Sequence, residues 1–106
     1  LKIMKIKMLG LVFSVLLSGQ ASANESMSNV EVVQIGTYQA NASHFVWFSA
    51  TPEECKAANP GNPVMGFSET QPGGKAMLAV LMTALVNKRK VDVQASGCSI
   101  FEIYLR

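Results

Sequence analysis

Few of the side chains that carry out enzyme chemistry occur in this chain of 106 residues. It has one histidine, His44, and one aspartate, Asp92, and neither belongs to a recognisable set of nucleophile, base and orienting group. A surface or strand-edge position is predicted for His44. The adjacent Glu53 and Glu54 do not form a catalytic pair, because consecutive side chains on a helix diverge. We therefore expect a protein that is not an enzyme.

Long hydrophobic runs are also scarce. The run nearest the amino end, Met8 to Leu17, is about half the ~20 residues that a bilayer-spanning helix requires. Basic residues precede it and Ala21-Ser22-Ala23 follow it, which is the three-part organisation of a cleavable export signal of bacterial type. We expect residues 1–23 to be this signal peptide, Asn24 to begin the mature chain, and the protein to be periplasmic or secreted without a membrane span.

Positive charge is limited once this signal is removed. Three of the nine basic residues and none of the seven acidic ones lie within residues 1–23, so the formal net charge of +2 becomes −1. The remaining basic cluster is Lys88-Arg89-Lys90. Binding to a phosphate backbone depends on several neutralising contacts, so no nucleic-acid partner is expected.

Cysteine is represented by Cys55 and Cys98. They are too far apart for a redox motif of the Cys-x-x-Cys type and too few for a complete metal site, so neither a metal nor a cofactor is predicted. In an exported protein a disulfide between them is the default expectation. A domain this small buries a modest share of its surface, and the bridge would stabilise it by about 4 kcal/mol.

Local patterns predict five strands and one long helix. The strands are expected at 30–35, 44–48, 64–67, 90–95 and 99–105, and the helix at 75–88. Thr51-Pro52-Glu53-Glu54 is typical of a helix start and predicts a short helical turn over 52–58. Residues 24–29 are polar and aperiodic, which favours a disordered lead-in to a single domain over 30–106.

The turn between the last two strands sets their register, because paired residues of an antiparallel ladder share a face. A three-residue loop over 96–98 places Val93 opposite Phe101, apolar against apolar. A two-residue turn would place the charged Asp92 opposite Phe101. We favour the three-residue loop.

The predicted order is that of the oligonucleotide/oligosaccharide-binding (OB) barrel, which has five strands and a helix after the third. The stretch Pro72-Gly73-Gly74-Lys75-Ala76-Met77-Leu78, continued to Cys98, resembles a group of small secreted bacterial proteins, and Phe45-Val46-Trp47-Phe48 is a second match. More distantly, the layout is similar to the cell-binding B subunits of two-component bacterial toxins, including the subtilase-cytotoxin kind. The resemblance implies a small, mainly β, α+β fold: an OB-like barrel or a curled antiparallel sheet with one helix and one disulfide.

Aromatic residues are the candidates for ligand binding. Tyr38, Trp47 and Tyr104, with Phe45 as a further candidate, could form a platform for a sugar or a base. The pattern favours the alternative that Phe45 and Phe48 belong to the core and Trp47 partly does, because small domains use aromatic side chains there first.

The predicted helix is apolar on nearly every side. The face that does not pack on the sheet must therefore be buried against another part of the chain or another subunit. Leu78, Met82 and Val86 fall on that side and are the candidate interface of a homo-oligomer. The alternative is that residues 49–71 fold over them.

These observations favour an exported, non-enzymatic binding module for a glycan or a protein at the cell surface or in the periplasm. The alternative is a periplasmic inhibitor or assembly accessory protein that acts through the 60–72 loop.

Overall fold

Five strands and two helices follow one another in residues 24–106, the part of the chain that the computed structural model describes. The signal peptide expected over residues 1–23 lies outside the described residues. In chain order the elements are β1 (Asn24–Thr37), β2 (Ser43–Phe48), α1 (Glu53–Ala58), β3 (Met65–Ser68), α2 (Gly74–Asn87), β4 (Lys90–Ser96) and β5 (Ser99–Leu105).

The strands form a closed barrel in the order β1-β2-β3-β5-β4. Every neighbouring pair is antiparallel except β3 and β5, which are parallel. These two strands share a single bridge, Gly66 with Ser99, and the Gly66 N–H also donates to the carbonyl oxygen of Cys98 at 2.8 Å. The predicted fold, a small five-stranded barrel with a helix between its third and fourth strands, is confirmed.

The first strand is longer than predicted, and the expectation of a disordered lead-in over 24–29 is wrong. From Asn24 to Met27 the strand pairs with β4, although its sequence is polar. Its backbone hydrogen bonds need no apolar pattern, and most of its side chains lie on the barrel surface. A bulge follows, in which Asn29 adopts a left-handed φ of 58° and its N–H donates to Asp92 Oδ1 at 2.8 Å.

The β4–β5 register also differs from the prediction. Ser96 pairs with Ser99, so the turn consists of Gly97 and Cys98 and has two residues rather than three. Val93 then lies opposite Ile103 and not Phe101, because Phe101 is an extra residue in a bulge of β5. The short turn and the bulge together keep apolar residues paired. Both registers considered from the sequence assumed an unbroken β5, so neither matches the structure.

The core lies inside the barrel and beneath α2. Its largest fully buried side chains are Met65, Leu81, Val46, Val91, Val93 and Cys55. Leu78, predicted to face away from the sheet, packs against this core instead, because it lies three residues before Leu81 on the same helical stripe. Met82 and Val86, at 51% and 75% exposure, do face away from it. Neither helix of residues 24–106 is long and apolar enough to cross a membrane.

The disulfide between Cys55 and Cys98 is present, as predicted, and joins α1 to the β4–β5 turn. A hydrogen bond runs beside it, from the Gly97 N–H to Glu54 Oε1 at 2.5 Å. At its first turn α1 is held by Glu25 of β1, whose carboxylate accepts the N–H groups of Glu53 and Glu54 at 3.3 and 2.9 Å. The short helix is thus bound to the barrel at two places.

Replacing both cysteines, in Cys55→Ala/Cys98→Ala, should lower the free energy of unfolding by about 2–5 kcal/mol, because the unfolded chain regains the freedom that the cross-link removes. Urea unfolding followed by circular dichroism measures the change. Lys56→Ala is the matched control, since this side chain makes only an exposed ion pair with Glu53 and its loss should cost less than about 1 kcal/mol. Equal stability of the cysteine variant and the parent would contradict a stabilising bridge.

Gly74, the first residue of α2, packs directly on the end of β3. A Cβ at this position would meet the Ser68 carbonyl oxygen and would lie 2.6 Å from the Glu69 Cα. Gly74→Ala should therefore destabilise the protein by about 1–3 kcal/mol, although glycine to alanine in a helix normally stabilises. The control is Gly73→Ala, where a Cβ has no neighbour within 4 Å. Thermal unfolding compares them, and a higher melting temperature for Gly74→Ala would show that the contact is not tight.

Candidate functional site

A cleft of about 810 Å³ surrounds the bridge between β3 and β5. Its walls come from β2, β3, β5, the β4–β5 turn and the start of α2. The volume lies within the ~300–1,000 Å³ that is usual for sites of small ligands. The lining combines apolar side chains with hydroxyl and amide groups, among them Phe45, Met77, Ile100, Phe101, Ser43, Ser68, Ser99, Asn59 and Gln71.

Two exposed aromatic rings border the cleft. Phe45 of β2 is 37% exposed, and its ring lies against Gly66, where a Cβ would be 3.2 Å from the ring carbon Cδ1. Tyr38 and Phe45 pack edge to face, with the ring centroids 5.7 Å apart and the planes at 84°. Phe101, at 42% exposure, enters from the other side because the bulge in β5 turns it outward. The cleft thus has an aromatic ring on each side of the β3–β5 bridge.

The aromatic residues predicted to form one platform occupy two places. Tyr38 and Trp47 lie together over Gly36, where a Cβ would be 3.5 Å from the Tyr38 oxygen and 3.6 Å from Trp47 Cζ3. Tyr38 contacts Phe45, which lines the cleft, but does not line the cleft itself. Trp47 is partly buried and does not line it either. Tyr104 lies apart from both, on β5.

Tyr104 is exposed, and its hydroxyl donates to Glu102 Oε2 at 2.6 Å. This hydrogen bond and the negative charge of Glu102 raise the pKa of Tyr104 above its ordinary value, because both favour the protonated phenol.

Phe101 is the exposed aromatic residue of the cleft that is absent from the candidates predicted from the sequence. In an unbroken strand it would alternate inward with Ile103, and the alternation of side chains gives no sign of a bulge. The sequence contains a partial indication that Phe45 lies at a site. Gly66 interrupts the neighbouring strand, and a glycine within a strand often marks a place where another group approaches the backbone closely.

A second, smaller groove of about 230 Å³ lies between β5 and α2. We call it the helix groove. Its lining is Gly73, Ala76, Met77 and Val80 on the helix side and Phe101, Glu102, Ile103 and Tyr104 on β5. Gly73, Met77 and Phe101 also line the cleft, so the two spaces adjoin at these residues.

The single histidine is buried rather than at the surface, which corrects the prediction for His44. It is 5% exposed, its Nδ1 lies 3.2 Å from the carbonyl oxygen of Gly36, and its Nε2 contacts the Glu69 carboxylate. The ring stacks on Phe67 with centroids 5.2 Å apart. Both ring nitrogens are therefore occupied by structural partners, and neither contacts a serine or cysteine side chain.

The contact between His44 and Glu69 positions the segment that forms one wall of the cleft. Glu69 follows the last residue of β3, and its backbone N–H donates to the Ala42 carbonyl oxygen at 3.0 Å. The segment from Glu69 to α2 is thus attached to His44 of β2 by a side-chain contact and to Ala42, the residue before β2, by a backbone hydrogen bond. Its Gln71 and Gly73 line the cleft.

The segment 60–72, predicted as an interaction loop, is only partly a loop. Pro60, Gly61 and Asn62 are exposed, but β3 occupies its middle, and Met65 and Phe67 are buried. Within residues 24–106, no three His, Cys, Asp or Glu side chains come together in a way that would hold a metal ion.

Glu69→Ala should lower the free energy of unfolding by about 1–3 kcal/mol, because it leaves a buried ring nitrogen of His44 without a partner. Glu69→Gln should cost less, since the amide can still form a hydrogen bond. Urea unfolding measures both, and the control is Glu53→Ala, which removes an exposed ion pair. A double-mutant cycle with His44→Phe should give a coupling energy of about 0.5–3 kcal/mol. Strict additivity would mean that the two side chains act independently.

The cleft, its two aromatic rings and its uncharged polar groups form a site on the barrel surface with the size and chemistry of a ligand site. No family model, no curated protein and no solved structure matches this chain.

Proposed function

We propose that this protein is an exported binding module that holds a glycan in the cleft between β3 and β5. The observation that carries the proposal is the placement of Phe45 and Phe101 on either side of the β3–β5 bridge, in a cleft that serine, asparagine and glutamine residues also line. A sugar ring has apolar C–H faces and a rim of hydroxyl groups. An aromatic ring suits the first and hydroxyl or amide groups suit the second.

The electrostatics of the cleft support the same ligand class. Among residues 24–106, no Lys, Arg, Asp or Glu side chain lines the cleft, and His44 is buried with its Nε2 against the Glu69 carboxylate. An uncharged polar ligand suits such a site better than a phosphate backbone, whose binding depends on cationic side chains.

The position of the cleft in the fold gives support by analogy. OB barrels bind oligosaccharides and oligonucleotides over their second and third strands and the loops beside them, including the loop between strands four and five. In this chain, β2, β3 and the β4–β5 turn line the cleft. The resemblance to secreted toxin B subunits, which bind glycans, favours the same ligand.

The Cys55–Cys98 disulfide fits an exported protein, as the proposal requires. Binding of a surface protein in place of a glycan, and inhibition of a periplasmic partner through residues 60–72, stay predictions. For the second, Pro60 to Asn62 is the part of the segment that a partner can reach. Self-association through Met82 and Val86 likewise stays a prediction.

The test is a screen of the purified protein against gluco-, galacto-, manno- and N-acetylglucosamine oligosaccharides of one to four units, followed by calorimetric titration. Phe45→Ala and Phe101→Ala should each weaken binding about tenfold, the equivalent of ~1.4 kcal/mol of lost contact. Val33→Ala and Val86→Ala are the controls, because both side chains are exposed and lie outside the cleft. Absence of binding at millimolar sugar would refute the proposal, and full affinity in both phenylalanine variants would place the ligand elsewhere.

A further inference from the structure

We infer that the ligand is a chain of at least two sugar units, with one unit in the cleft and the next in the helix groove. This inference rests on the proposed function and extends it to the size and direction of the ligand. The chain would run from the β3–β5 bridge along β5, on the side that faces α2.

Continuity between the two spaces is the first argument. The cleft and the helix groove have Gly73, Met77 and Phe101 in common, and Phe101 is exposed where they meet. A ligand unit that contacts Phe101 in the cleft therefore has open space beyond it in the direction of Tyr104. A single ring would leave this adjoining space unused.

The first turn of α2 keeps the groove open. Gly73 has no side chain, and Ala76 contributes only a methyl group to the wall facing β5. A larger side chain at residue 76 would enter the groove. Ala76 is exposed, so such a change would occupy the groove without disturbing the core.

The far part of the groove has the chemistry of a polar ring with apolar faces. Val80 and Ile103 provide apolar surface, and the Glu102 carboxylate and Tyr104 hydroxyl lie beside them, hydrogen-bonded to each other. A carboxylate has acceptor capacity beyond the one hydrogen bond that Tyr104 donates, so Glu102 can also accept a sugar hydroxyl.

The experiment compares the affinity of the protein for a monosaccharide with that for the disaccharide and trisaccharide of the same series, using the series that binds in the screen above. The parent protein should bind the disaccharide about tenfold more tightly than the monosaccharide. Ala76→Phe should bind the monosaccharide as the parent does but lose this gain, because the new ring fills the helix groove. Ala79→Phe is the matched control, since Ala79 is exposed on the same helix and lines neither space, and it should keep the gain.

Equal affinity of the parent for one and two units, or a full gain in Ala76→Phe, would overturn the second subsite while leaving the binding module intact. Failure of every sugar to bind would overturn the proposed function and this inference with it. Thermal unfolding of Ala76→Phe and Ala79→Phe checks that each of these variants is folded. If Ala76→Phe is not folded, Glu102→Ala replaces it, and the same loss of the disaccharide gain is expected.

Discussion

Closure of the barrel between β3 and β5 is the constraint on which the rest of this structure depends. The two strands come from opposite sides of α2 in the chain and share one bridge, supported by the hydrogen bond from the Gly66 N–H to the Cys98 carbonyl oxygen. One bridge alone holds two strands together weakly, so other contacts must stabilise the closure. The Cys55–Cys98 disulfide and the Glu54–Gly97 hydrogen bond do so, because they hold the β4–β5 turn against α1.

The same narrow closure creates the candidate site. β3 ends at Ser68 while β5 continues to Leu105, so the two strands cannot pair along their length and a cleft surrounds their single bridge. The bulge at Phe101 and the bare backbone of Gly66 then provide an exposed ring on each side. A short strand, a bulge and a strand glycine each weaken a continuous sheet, and all three occur at the candidate site.

Beyond the closure, the wall of the cleft is held by contacts that leave little freedom. Gly74 packs on the backbone at the end of β3, and the His44–Glu69 pair attaches the preceding residues to β2. Helix α2 therefore starts at a defined place, and residues of its first turn line both the cleft and the helix groove. A site with such a wall is largely preformed, which lowers the entropic cost of binding.

The sequence by itself determined the order of the elements, the long helix and the disulfide. Local periodicity and turn residues specify strands and helices, and a chain with two cysteines has one possible intramolecular pairing. Only the tertiary structure decided that residues 24–27 pair with β4, that Phe101 bulges outward, that Leu78 packs inward and that His44 is buried against Glu69. Each of these depends on which residue lies opposite which across two strands or a helix interface. Alternative registers satisfy the local pattern equally well, and the packed barrel selects among them.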